Sequence, residues 1–101
     1  MPRPLGITSL QILAGIRDGV TYGLEIVAQT GLPSGTVYPT LGRLKSRGLV
    51  RASWESARDA ERAGRPRRRY YELTPAGAEA LAAGREHFAR AAARLSPKRA
   101  G

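Results

Sequence analysis

The apolar residues near the start of the chain recur at helical spacing, with Leu10, Leu13 and Ile16, and Ile12 beside them, on one side of residues 9–17. Thr8, with Gln11 three residues later, predicts a capping box in which each side chain serves the other's amide. Asp18 and Gly19 end that helix. A second helix is expected over residues 22–29, capped by Thr21, with Leu24, Val27 and Ala28 as its apolar face and Gly31 as a left-handed exit. The run "GLPS" then leads to Ser34, read as a third N-cap. The third helix, over residues 35–47, buries Val37, Leu41 and Leu44 and closes at Gly48. Helix, short glycine-containing turn and helix form a helix-turn-helix unit.

After Gly48 the period changes from helical to two. Residues 49–55 alternate Val50, Ala52 and Trp54 with Arg51, Ser53 and Glu55, which predicts a half-buried strand. A second strand over residues 69–73 puts Tyr71 and Leu73 on one face and Tyr70 and Glu72 on the other. Trp54, on the inward face, reads as core, with stacking on an effector as the other reading. Between the strands, residues 56–68 lack a tight-turn signature and carry Arg58, Arg62, Arg65, Arg67 and Arg68. Two strands flanking a long basic loop, directly after a helix-turn-helix, make a wing.

Thr74 and Pro75 restart a helix, as an N-cap followed by proline at the first helical position. Its continuation over residues 76–95 carries Leu81, Phe88 and Leu95 seven residues apart, with Ala91 and Ala92 beside them. This stripe needs cover, either from its own domain or from a second copy of the chain. Residues 96–101 read as a basic, disordered tail. The fold class is therefore mainly α with a small β-hairpin wing (α+β). It divides into a winged helix-turn-helix over residues 1–74 and a C-terminal dimerisation helix over residues 75–95.

Composition narrows the function. The chain of 101 residues has room for one modest core, contains no cysteine and shows no apolar run of membrane-spanning length, so a cytoplasmic location is expected. No nucleophile with a base, glycine-rich phosphate loop or paired carboxylates is visible, and His87 is the single histidine. Neither an enzyme nor a metal or other cofactor is expected. Charge is more telling. Seventeen Lys and Arg stand against eight Asp and Glu, a net charge of +9, and fifteen of the seventeen are Arg. Residues 1–30 sum to zero, whereas 31–50, 51–73 and 74–101 carry +3 each, which points to a polyanion-binding surface on the later elements. A merely solubilising surface is the alternative.

The blocks "YGLEI" (residues 22–26), "GTVYPTLGRLKSRGLV" (35–50) and "RRYYELTPAG" (68–77) resemble the PadR family of winged-helix transcriptional regulators, in that family's order and spacing. The family commonly has an aromatic residue where Leu24 stands and an acid where Lys45 stands, and its longer members have a larger C-terminal region. The resemblance implies a dimeric repressor acting at an inverted repeat of double-stranded DNA on the bacterial nucleoid. It further implies a homodimer through the C-terminal helix and, in some members, a small-molecule effector between subunits.

On that reading the third helix enters the major groove, and Ser34, Thr36, Tyr38, Thr40 and Arg43 are the candidates for contact, with Arg47 flanking and Tyr22 beside them. Arg43 suits a bidentate contact to guanine or a grip on phosphate. Arg65, Arg67 and Arg68 of the wing suit phosphates or the minor groove. Leu81, Phe88, Ala92 and Leu95 are the dimerisation candidates. Pro39 stands inside the third helix, where a proline costs about 3 kcal/mol in an ordinary helix interior, and is expected to bend or tighten that turn and so aim Tyr38 at the DNA backbone. Two other classes remain on residues alone: a basic RNA- or ribosome-associated protein, and a winged helix used only for protein interaction.

Overall fold

The computed structural model describes residues 4–97. Along the chain run α1 (Ile7–Arg17), α2 (Gly23–Thr30), α3 (Ser34–Ser46), β1 (Val50–Trp54), α4 (Ala57–Ala63), β2 (Arg69–Leu73) and α5 (Pro75–Leu95). β1 and β2 pair antiparallel, from Val50 opposite Leu73 at the body to Trp54 opposite Arg69 at the far end. The core lies where α1, α2 and α3 meet the base of this hairpin and the first half of α5. Ile12, Leu13, Ile26, Val37, Leu41 and Leu44 are all but sealed from solvent there. Burying a side chain of this size contributes about 1.5–3 kcal/mol, so this cluster dominates the stability of the body.

The helix stripes predicted for α1 and α3 are the ones buried, but several caps differ. Gly6 caps α1, and its carbonyl accepts from the Leu10 amide at 3.1 Å. Thr8 therefore lies inside the first turn, and the capping box does not form. Tyr22, not Thr21, is the N-cap of α2, and the Thr21 amide instead donates to the Glu25 carboxylate at 3.2 Å. Pro33 is the N-cap of α3, its carbonyl accepting from the Thr36 and Val37 amides, which makes Ser34 the first helical residue. α3 continues through Pro39 as a single helix.

α2 is rotated from the expected face. Gly23 and Ile26 are buried and Val27 half-buried, so Leu24 falls outside this stripe and is 70% exposed, with Ala28 exposed one turn on. Gly23 is required at the crossing with α3: a Cβ there would stand 2.8 Å from the Tyr38 hydroxyl.

The expected loop over residues 56–68 contains a helix. Ser56 caps α4, its hydroxyl accepting from the Asp59 amide at 3.1 Å, and Gly64 ends it with φ of 67°. Trp54 is corrected too: it is 56% exposed, because β1 leaves the body after Val50 and no element covers its far end.

α5 begins as predicted. The Thr74 hydroxyl accepts from the Gly77 amide at 3.0 Å and donates to the Gly48 carbonyl at 2.6 Å. Gly77 lies so close to the Leu49 carbonyl that no Cβ fits, and Gly84 abuts the Leu10 side chain in the same way. Leu81, expected at a dimer contact, is buried in the chain's own core instead. The boundary drawn at residue 74 therefore does not divide the packing. Phe88 is half-buried, while Ala92 and Leu95 are exposed. Of the tail expected over residues 96–101, residues 98–101 lie outside the described ones, and Ser96 and Pro97 are exposed.

Candidate nucleic-acid interface

On α3, Ser34 is exposed in the first turn, Thr36 is half-buried, and Tyr38 is 43% exposed with its ring resting over Gly23. Thr40 differs from its neighbours. It is 1% exposed, and its hydroxyl donates to the Thr36 carbonyl at 2.7 Å and accepts from an Arg43 guanidinium nitrogen at 3.0 Å. A direct base contact by Thr40 is corrected on that ground, since the hydroxyl is buried, with its proton given to Thr36 and a lone pair taken by Arg43. Its hydroxyl instead orients Arg43, which is exposed and whose remaining donors have no partner among the described residues. Arg47 lies at the other end of α3 and shares a hollow with His87 and Arg90 of α5. It is not gathered with the others.

The wing is organised around Glu55, just past β1. Its carboxylate takes both terminal nitrogens of Arg65, at 2.6 and 2.9 Å, and the Arg68 amide at 3.3 Å, while the Tyr70 hydroxyl donates at 3.4 Å. The Arg65 guanidinium holds the Glu55 carboxyl down at about 2, against the opposing push of burial and with help from the Arg68 amide. Arg65, expected to meet phosphate, is thereby committed to a bidentate internal pair. It serves as a strut.

The next three arginines are held without being neutralised. Arg67 donates from Nε to the Glu55 carbonyl at 2.7 Å, and its two outer nitrogens have no partner among the described residues. Its guanidinium carbon lies 5.9 Å from the Trp54 ring centroid, and that of Arg69 lies 5.0 Å from it. Arg68 lies over the ring of Tyr22 at 3.9 Å, and Tyr22 meets Tyr70 edge to face with centroids 6.0 Å apart. Backbone ties reinforce this, through a Tyr22–Tyr70 bridge and a Tyr71 amide donating to the Thr21 carbonyl at 2.7 Å. The wing is fastened to the turn before α2.

Between these surfaces runs a groove of about 570 Å³, with Tyr22 at the cap of α2, Leu24 of α2, Tyr38 of α3, Trp54 of β1 and residues 65–69 along its walls. It joins Tyr38 of α3 to the wing. Trp54, Leu24 and Arg69 in its walls, and Glu55 bonded to Arg65 behind them, are among the residues that sequence reasoning did not name as part of the site. Among the described residues, no group of three or more His, Asp or Glu is placed to hold a metal ion. No helix among them is long and apolar enough to cross a membrane.

A model of the transcriptional regulator PadR-like family matches residues 12–83, from α1 through the wing into α5. The chain belongs to this family. The PadR-like fold is shared with solved structures, among them a PadR family transcription regulator from hypervirulent Clostridium difficile R20291, at 26% identity and a TM-score of 0.74 over 89% of this chain and 94% of that one. A PadR-like transcriptional regulator from Bacillus cereus superposes with a TM-score of 0.73 at 23% identity, over 89% of this chain and 88% of the other. Bordetella bronchiseptica BpsR, whose DNA binding is regulated by 6-hydroxynicotinic acid, has a TM-score of 0.66 at 22% identity, over 90% of this chain and 67% of its own. No match was found among curated proteins. This PadR-like protein is a DNA-binding transcriptional regulator rather than an enzyme.

Proposed function

We propose that two copies of this PadR-like chain bind an inverted repeat in double-stranded DNA and repress transcription there, in the cytoplasm. α3 enters the major groove, with Ser34, Thr36, Tyr38 and Arg43 toward the bases and sugars. Arg67 and Arg68 grip the flanking backbone, with Tyr22 holding Arg68 in place. The observation that carries this reading is the groove that brings Tyr38 of α3 together with Arg67, Arg68 and Arg69 of the wing, which among the described residues are in no ion pair.

The homodimer is supported by the far half of α5. Beyond Phe88 it runs past the body with Ala92 and Leu95 exposed, the latter at 85%, and Ile7 of α1 is 53% exposed beside it. A second copy of the same face would cover these apolar groups. Phe88→Asp is expected to sediment as a monomer; a variant that remains dimeric would overturn this arrangement.

Selection of bound sequences from a random duplex pool tests the whole proposal. The expected product is an inverted repeat whose half-sites lie about one helical turn, or a multiple of it, apart. Enrichment of a single unrepeated site would break the dimeric reading.

A further inference from the structure

We infer that the groove between α2, α3 and the wing receives one sugar–phosphate strand of the DNA, and that Trp54 is a DNA-contacting residue at its wing end. This rests on the DNA-binding reading and adds a strand path and a residue to it. Trp54 is the largest side chain of the hairpin, yet it stands more than half exposed at the end of β1 that has left the core. Packing does not account for it.

Its surroundings specify the occupant. Arg67 and Arg69 approach its ring, at 5.9 and 5.0 Å, and Arg68 enters the same groove over Tyr22. Among the described residues none of these three arginines is in an ion pair, whereas Arg65 beside them is paired with Glu55. The one carboxylate in the groove wall, Glu25, accepts from the Thr21 amide. The groove thus offers an anionic partner three arginines outside any ion pair against the single carboxylate of Glu25, interleaved with the apolar surfaces of Leu24, Tyr38 and Trp54. A sugar–phosphate strand has that alternation, phosphates for guanidinium groups and deoxyribose faces for the rings. Trp54 also holds Arg67 and Arg69 by cation–π attraction, so their freedom is already reduced before DNA arrives.

Trp54 is the single tryptophan of the chain, which makes its fluorescence a direct reporter. A fluorescein-labelled random-sequence duplex is titrated with the full chain, following anisotropy for binding and acrylamide quenching of Trp54 for contact. Quenching is expected to fall as the duplex saturates. Trp54→Ala is expected to weaken binding about tenfold and Trp54→Phe, which keeps a ring, about threefold. Since the side chain is exposed, both variants should retain the parent's circular dichroism.

Binding by anisotropy with unchanged quenching would overturn the inference and leave DNA binding standing. No anisotropy change at any concentration would overturn both. Protection that develops without DNA as the protein is concentrated would place a second copy in the groove and overturn the strand path.

Discussion

The arginines of α3 and those of the wing carry the same charge but differ in what holds them. Among the described residues Arg43 has a single side-chain partner, the buried Thr40 hydroxyl, and is otherwise exposed on its helix. Arg65, Arg67, Arg68 and Arg69 are each braced, by the Glu55 carboxylate, the Glu55 carbonyl, the Tyr22 ring and the Trp54 ring respectively. A braced guanidinium loses less freedom when it meets a phosphate, and a phosphate has the same geometry at every step of a duplex. A guanidinium that must choose among base edges gains from reach and adjustment. The difference teaches how one charge type can divide into grip and readout on a surface of modest size.

Arg43→Ala puts that division to its strongest test. It is expected to cost about 1–3 kcal/mol on the selected operator and much less on random duplex, measured by anisotropy titration. An equal loss on both would make Arg43 another backbone grip and erase the distinction.

Glu55→Gln attacks the other side. It removes a negative charge near DNA, which by charge alone should tighten binding. If bracing matters, the Arg65 strut loosens and affinity falls roughly fivefold on operator and random duplex alike. Tighter binding would show that charge, not placement, governs the wing.

Thr40→Val is a finer probe. It keeps the buried shape but removes the hydroxyl that bonds Thr36 and Arg43, so urea unfolding should show a loss of about 1 kcal/mol. The operator affinity should fall by less than for Arg43→Ala, because the guanidinium remains. A Thr40→Val loss as large as that of Arg43→Ala would mean that Arg43 reads nothing without its support.

The smallest effect concerns pH. Glu55 is depressed from 4.5 to about 2, so its ion pair contributes stability that is complete above pH 4.5 and is lost as pH falls toward 2. The difference in melting temperature between parent and Glu55→Gln should accordingly shrink across that interval. A constant difference would show that Glu55 stabilises the wing by shape alone.

Local chemistry made much of the architecture legible in the sequence. Gly31 and Gly48 take the left-handed conformation at the ends of α2 and α3, Thr74 caps α5, and the strand expected over residues 69–73 is β2. The three sequence blocks also pointed to the PadR family. α4 is legible in principle, since Ser56 stands three residues before Asp59 and Gly64 follows an alanine-rich run, but five arginines without a tight turn between two strands read equally as a wing loop. Such features depend on a few adjacent residues, so the sequence by itself determines them.

Tertiary structure alone decided which apolar and charged groups face solvent. Leu24 and Ile26 lie two residues apart, and only the crossing of α2 with α3 at Gly23 buries the second and exposes the first. Leu81 and Leu95 fall on one predicted stripe, yet the body covers the first and reaches only as far as Phe88, short of the second. Trp54 fits an inward strand pattern but lies beyond the core, and Arg65 resembles its neighbours until Glu55 takes its fork. Burial and ion pairing depend on residues remote in the chain, and periodicity along the chain carries no record of where the neighbouring element ends.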